Sequence, residues 1–177
     1  MRRVIKEQMT YQFRQADTAD REDIWSLLKD AIQRRKEDGS NQWQDGYPNP
    51  DILQKDIDQN QGFVLTELEH VIGYCAILIN DEPDYGQIEG EWLSQEDFIV
   101  FHRMTIAKEL AGRGLGKLMM KHIEQYAIDN NIFSVKADTN HDNPAMKNNF
   151  EKSGYSFCGQ VYINGSPRKA FEKVLMK

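Results

Sequence analysis

No stretch of about eighteen apolar residues occurs in this 177-residue chain, which excludes a membrane-spanning helix as an expectation. The first residues, Met1-Arg2-Arg3-Val4-Ile5-Lys6-Glu7-Gln8, are basic but lack the apolar core of a signal peptide. Cysteine is scarce. Cys75 and Cys158 each fall inside a strand-like run, where they read as small buried hydrophobes rather than as a bridge or a metal pair. Positive charge is not in excess either: the net charge is −6 and the pI about 5.3. Nucleic acid and anionic membrane are therefore not expected as partners. No internal repeat or low-complexity segment is visible. These absences describe a cytoplasmic chain without a metal, expected to form a single domain over 1–177 with residues 1–9 as an extra N-terminal tail. A chain of this length buries a sizeable core without disulfides.

What is present centres on Phe98 to Asn130. The run Phe98 to Ile106 is apolar, branched and aromatic, as suits a well-buried strand. Ala107 to Ala111 connects it to Gly112-Arg113-Gly114-Leu115-Gly116-Lys117. Leu115, Leu118, Met119, His122, Ile123, Tyr126 and Ala127 then recur at the spacing of an amphipathic helix. A strand thus feeds a glycine turn and a helix N-terminus, whose unpaired N–H groups and partial positive charge form an anion site, most readily for phosphate. The dinucleotide pattern G-x-G-x-x-G fails at Lys117, and a Walker loop fails at Ala111 and Leu118. Arg113, Lys117 and Lys121 gather positive charge at this point of an acidic chain.

The turn resembles the acyl-CoA loop of the GNAT N-acetyltransferase superfamily, [QR]-x-x-G-x-[GA], and the string Gln42-Trp43 … Gly46-Tyr47-Pro48 resembles a group of bacterial members of that family. Gly114 and Gly116 match it, whereas Ala111 stands where Gln or Arg is usual. Downstream, Ile132 to Ala137 reads as a strand, and Asn143-Pro144 as a helix cap followed by proline at the first helical position. The string Asn143-Pro144-Ala145-Met146 … Phe150-Glu151-Lys152-Ser153-Gly154-Tyr155 resembles the family's second motif. The resemblance implies a mixed α/β, single-domain fold with a mostly antiparallel sheet of about six to seven strands, splayed between its fourth and fifth, and about four flanking helices. It also implies acetyl-CoA as cofactor, held by Met104, Thr105 and Ile106 on the splayed strand, by Ala111, Gly112, Arg113, Gly114, Leu115, Gly116 and Lys117 in the loop, and by Asn143 and Phe150 beyond it.

The rest of the chain frames an acceptor. Tyr11 to Ala16 reads as a first strand, followed by a helix from about Asp20 to Glu37. The loop Asn41 to Pro48 holds Trp43 and Tyr47, which either pin the loop to the core or wall the acceptor site. Asn49-Pro50 starts a short second helix, and Phe63–Leu68 with Val71–Ile79 form a hairpin about Glu69-His70. Asn80 to Asp97 is long and acidic, the composition of a solvated loop. Were Glu91 and Trp92 to fold inward, it would become an acidic lip suited to a cationic amine. Asn164-Gly165 signals a second hairpin between Tyr155–Ile163 and Lys169–Leu175.

Aminolysis of a thioester needs a neutral amine and a proton for the departing thiolate. His102 has the intrinsic pKa of a base near neutrality, although period-two alternation also fits it as a core histidine beside Val100 and Met104. Phe150 stands where many relatives carry a proton-donating tyrosine. The primary expectation is transfer of acetyl from acetyl-CoA to a small-molecule primary amine, by direct attack in a ternary complex. A CoA-binding sensor with little catalysis and a protein or peptide N-acetyltransferase are the alternatives. A homodimer is a candidate assembly.

Overall fold

Short-range signals set most element boundaries in the computed structural model, which describes Tyr11–Lys177; the tail expected at 1–9 lies outside the described residues. The Asn-Pro pairs act as caps. Asn49 accepts from the backbone of Ile52 at the start of helix α2 (Pro50–Asp58), and Asn143 accepts from Met146 at the start of α4 (Pro144–Lys152). Asn164 and Gly165, both at positive φ, turn strand β7 (Ser156–Ile163) into β8 (Ser166–Val174). The other expected hairpin joins β2 (Gly62–Glu67) to β3 (His70–Ile79), with the register Glu67↔His70. Its two loop residues are therefore Leu68 and Glu69, one position earlier than Glu69-His70, and both take the positive φ such a tight loop demands.

Helix α1 spans Arg21–Glu37 and α3 spans Leu115–Asp129. Asn131, at positive φ, ends α3: its N–H bonds Ile128 and the next N–H, from Ile132, bonds Ala127. This cap consumes Asn131 and Ile132, so β6 runs Ser134–Thr139, two residues later than Ile132 to Ala137.

Among the described residues the strands form one open mixed sheet of eight, in the order β1-β2-β3-β5-β6-β8-β7-β4, where β1 is Tyr11–Gln15, β4 Glu89–Gly90 and β5 Ile99–Ile106. Seven are the expected strands. The eighth, β4, is a two-residue strand within the acidic stretch, admitted because Gly90 and Gly159 let two backbones approach where a Cβ would strike a carbonyl at 2.2 Å. The parallel pairing of β5 with β6 is confined to Ile99↔Val135 and Val100↔Lys136, so β5 leaves its neighbour early. That is the splay.

The chain divides into two compact units, Met1–Ala76 with Arg103–Leu115, and Ile77–His102 with Gly116–Lys177; the divisions fall inside β3, inside β5 and after the first residue of α3. In the first, Ile24 and Leu28 of α1 and Leu53 and Ile57 of α2 pack with Val64 and Tyr74. In the second, Val100, Val161 and Ala170 pack with Tyr85 and Trp92. Among the described residues no helix is long and apolar enough to cross a membrane.

Candidate active site

Glycine is required twice in the turn before α3. Gly112 and Gly114 sit at φ +80° and +75°, a region L side chains rarely adopt, and a Cβ built on either would meet nothing within 4 Å. The space over the turn is open. Gly116 differs: its Cβ would lie 2.8 Å from the Asn149 side chain, so that glycine serves the packing of α3 against α4. The first four N–H groups at a helix start, counted from the cap residue, have no acceptor within it, and here they belong to Gly114 through Lys117. Leu115 is buried and anchors the helix start, while Arg113 and Lys117 are exposed beside it. Ala111, also exposed, ends a 3-10 turn over Lys108–Leu110 and donates its N–H to Lys108. Open glycines, amides at a helix start and two free-standing cations fit a pyrophosphate.

Strand β5 carries an irregularity that its apolar composition conceals. Arg103 lies mid-strand at φ +56°, with its side chain 6% exposed. Its Nε and Nη2 donate to Asp56 at 3.0 and 2.7 Å, and the Tyr74 hydroxyl donates to the same carboxylate at 2.5 Å. Burial, then the Asp56 charge, raises the Tyr74 phenol far above its ordinary pKa, so it stays a donor. Arg103 Nη1 donates to the Tyr47 hydroxyl. A buried ion pair therefore ties the aromatic loop to the middle of β5.

Further along, Thr105 is buried, and Met104 and Ile106 are half-buried. Arg34 of α1 donates to the Ile106 carbonyl at 3.0 Å and reaches the Thr105 hydroxyl at 3.4 Å, while Ala107 N–H bonds the Ile72 carbonyl. The backbone of this run is thus partly engaged: the Ile106 carbonyl, one of the groups expected to face a thioester, already accepts from Arg34.

The acidic stretch Asn80 to Asp97 is anchored by its aromatic residues, while Asp81, Glu89, Glu91, Glu96 and Asp97 stay exposed. Tyr85 and Trp92 are buried, the Trp92 indole donates to the Tyr85 carbonyl at 2.8 Å, and the Tyr85 hydroxyl donates to Asp138 at 2.5 Å. Lys136 lies 4.6 Å from the centre of the Trp92 ring and 4.4 Å from that of Phe98. Burial lowers the Lys136 pKa, which the Glu172 charge partly opposes. Trp92 does fold inward; Glu91 stays exposed. His102, half-buried, has Nε2 at 3.0 Å from Glu82 Oε2.

The remaining expected positions fall as follows. Asn143 is buried and caps α4. Phe150 is fully buried among rings, stacked on Phe171 with centroids 4.5 Å apart and flanked by Phe101 and Tyr155. Trp43 is half-buried under the Arg35 guanidinium, 6.0 Å from its ring centre, and Tyr47 is 37% exposed. Sequence reasoning missed Arg34, Asp56, Glu82 and Arg103. For Asp56 a signal existed: it shares the buried stripe of α2 with Leu53 and Ile57.

Residues 22–155 match the Acetyltransferase (GNAT) family. The chain belongs to that family. It is 30% identical to a GNAT-family acetyltransferase of Streptococcus agalactiae 2603, whose crystal structure aligns with a TM-score of 0.88 over 94% of this chain and 96% of that one. It is 25% identical over 156 residues to YesJ of Bacillus subtilis (strain 168), an uncharacterized N-acetyltransferase, covering 87% of this chain and 84% of that protein. The structure of yncA from Salmonella typhimurium with its cofactor acetyl-CoA, 16% identical, shares the fold at a TM-score of 0.68 over 95% of each chain. As an N-acetyltransferase of this family, the protein uses acetyl-CoA as acetyl donor.

Proposed function

We propose that this protein transfers the acetyl group of acetyl-CoA to the primary amine of a small molecule, with donor and acceptor bound together and no acyl group resting on the protein. The reading is carried by the turn Gly112 to Lys117, an open anion cradle at the start of α3. In this reading the loop amides with Arg113 and Lys117 hold the pyrophosphate, and Asn143 and the Met104–Ile106 run hold the pantetheine arm. Bound there, acetyl-CoA supplies a thioester already activated for aminolysis. His102 accepts the proton of the attacking amine, for which its half-buried position on β5 is suited. Trp43 and Tyr47 wall the acceptor, with Tyr47 held by Arg103. The polypeptide alternative would use the exposed Asp81, Glu89, Glu91, Glu96 and Asp97 of the 80–97 stretch, and an amine panel separates the two readings. We place the protein in the cytoplasm as a single acetyltransferase domain.

One observation favours a second reading, the CoA-binding sensor. Phe150 has no proton to give and is fully buried. Loss of general-acid help, typically about 10²–10⁴-fold, slows turnover without abolishing it, because CoA thiolate leaves readily. The test is thiol release from acetyl-CoA across a panel of diamines, amino sugars, amino acids and basic peptides. Release with a free metabolite amine supports the primary reading. Release with peptides alone overturns it, and CoA binding without release in any case leaves the sensor.

A further inference from the structure

The dyad His102–Glu82 lies at one end of a strap. Residues Asn80 to Asp97 leave the sheet and return to it at nearly the same place: Asn80 N–H donates to the Phe98 carbonyl at 3.0 Å, Phe98 N–H returns to the Asn80 side chain at 2.9 Å, and the Asn80 amide donates to Asp97 at 3.1 Å. Between these ends the strap lends β4 to the sheet edge and is pinned to β6 and β8 by three hydrogen bonds. Leu93 N–H donates to Glu172 at 2.6 Å, Lys136 Nζ to the Ser94 carbonyl at 3.3 Å, and the Tyr85 hydroxyl to Asp138. Asp138 and Glu172 are therefore each committed to a strap donor, and Lys136 to the strap's rings and carbonyl. Arg168 acts on the Tyr85 phenol. The carboxylate delivered to His102 is Glu82. Its other oxygen accepts from Asp84 N–H at 3.4 Å, which fixes the orientation of the carboxylate at the first turn of the strap.

A carboxylate only accepts, so the ring nitrogen facing it must carry a proton. Nε2–H of His102 donates to Glu82, and in the neutral ring the lone pair then resides on Nδ1. We propose that Glu82 is a positioning residue for His102: by holding Nε2–H it presents Nδ1 as the proton-accepting atom and keeps the charge of the imidazolium compensated after transfer. The proton moves from the ammonium of the acceptor to Nδ1, directly or through one water, and Glu82 itself gains none. This rests on the reading of His102 as the base. It also gives the acidic stretch a task other than contacting the acceptor.

The test uses the full chain, with Glu82→Gln and Glu82→Leu. Gln keeps one acceptor oxygen, which can still face Nε2–H, but removes the charge and puts an NH₂ in place of the second oxygen; Leu removes both oxygens. The proton on His102 Nε2 is read by NMR as a downfield, exchange-protected signal, assigned by its absence in His102→Ala. Acetyl-CoA thiol release with the best amine of the panel gives kcat and KM, and thermal melting reports folding. The expected result is a signal present in the wild type, shifted in Glu82→Gln and absent in Glu82→Leu. With it, kcat in Glu82→Leu falls at least about ten-fold, a part of the 10²–10⁴-fold a general base supplies, while KM for acetyl-CoA stays within about two-fold. A signal that persists in Glu82→Leu, or kcat unchanged in both variants, overturns the proposal. If the wild type acetylates no amine, the proposed activity fails separately. The NMR arm then decides alone: loss of the signal in Glu82→Leu retains Glu82 as the partner that orients His102, and its persistence overturns that role.

Discussion

Replacing Asp56 by Asn changes one atom in the interior and should be among the most damaging single substitutions in the first unit. Asp56 and Arg103 have side chains 2% and 6% exposed, so neither charge is screened by water. The carboxylate receives two bonds from the guanidinium and one from the Tyr74 hydroxyl. An asparagine keeps one acceptor oxygen but aims its NH₂ at donors, and it leaves the Arg103 charge uncompensated. Breaking a buried pair in this way costs about 3–5 kcal/mol, against less than about 1 kcal/mol for an exposed one. For a chain of this size each kcal/mol lowers Tm by about 2–4 °C, so a fall of roughly 6–20 °C is expected in Asp56→Asn. The assay is thermal unfolding followed by circular dichroism, with urea titration confirming that m is unchanged. A companion double variant, Asp56→Leu with Arg103→Met, removes both charges together and should recover much of the loss, since buried pairs are readily replaced by apolar groups. Recovery has two opposing terms: the buried Tyr74 hydroxyl loses its acceptor, at about 1–3 kcal/mol, and Arg103 holds φ +56°, worth about 1–3 kcal/mol of strain for a non-glycine residue, whose restraining bonds the double variant removes. A loss below about 1 kcal/mol in Asp56→Asn would refute the reasoning, because it would mean that water reaches the pair.

Gly114→Val forces a β-branched residue into φ +75° at a cost of about 1–3 kcal/mol, so the loop relaxes and CoA affinity measured by calorimetry should fall about 5- to 150-fold; unchanged affinity would move the ligand elsewhere. Phe150→Tyr places a hydroxyl among the rings of Phe101, Tyr155 and Phe171, which should cost about 1–3 kcal/mol in a urea titration and bring no rise in kcat. A faster variant would show instead that the hydroxyl reaches the departing thiolate. Asp20 accepts from Arg14 at 2.7 and 2.8 Å, and these bonds hold its carboxyl below the usual range. Its contribution is complete above the unfolded value near about 3.9 and is lost as pH falls through the lower folded value; at about 1 kcal/mol after discounting the half-exposed Arg14, the gap between wild type and Asp20→Asn should be open at pH 7 and closed at about pH 2.

What the sequence disclosed and what it withheld divide along one physical line. Asn143-Pro144, Asn164-Gly165 and the Gly112–Gly116 turn are legible because each is decided by neighbours within a few residues, through a cap, a positive φ or a helix start. The family's loop and its second motif are of the same kind, so the family and its cofactor could be read from the chain alone. The anchoring of the acidic stretch was not legible because a charge count records no partners: Glu82 finds His102 twenty positions away, and Glu172 meets Leu93 and Ser134 from the far end of the chain. Such pairs exist only once the sheet has assembled. They still leave a trace, which is polarity in the wrong place. Asp56 interrupts the apolar stripe of α2 between Leu53 and Ile57, and Arg103 interrupts an apolar strand. A lone charge on a buried face cannot stay unpaired, because desolvation would cost several kcal/mol. Two opposite misplacements in one small chain therefore predict each other. Applied to His102, flanked by the buried Phe101 and Arg103, the same rule demands a partner too, and the structure supplies it from the segment with carboxylates to spare.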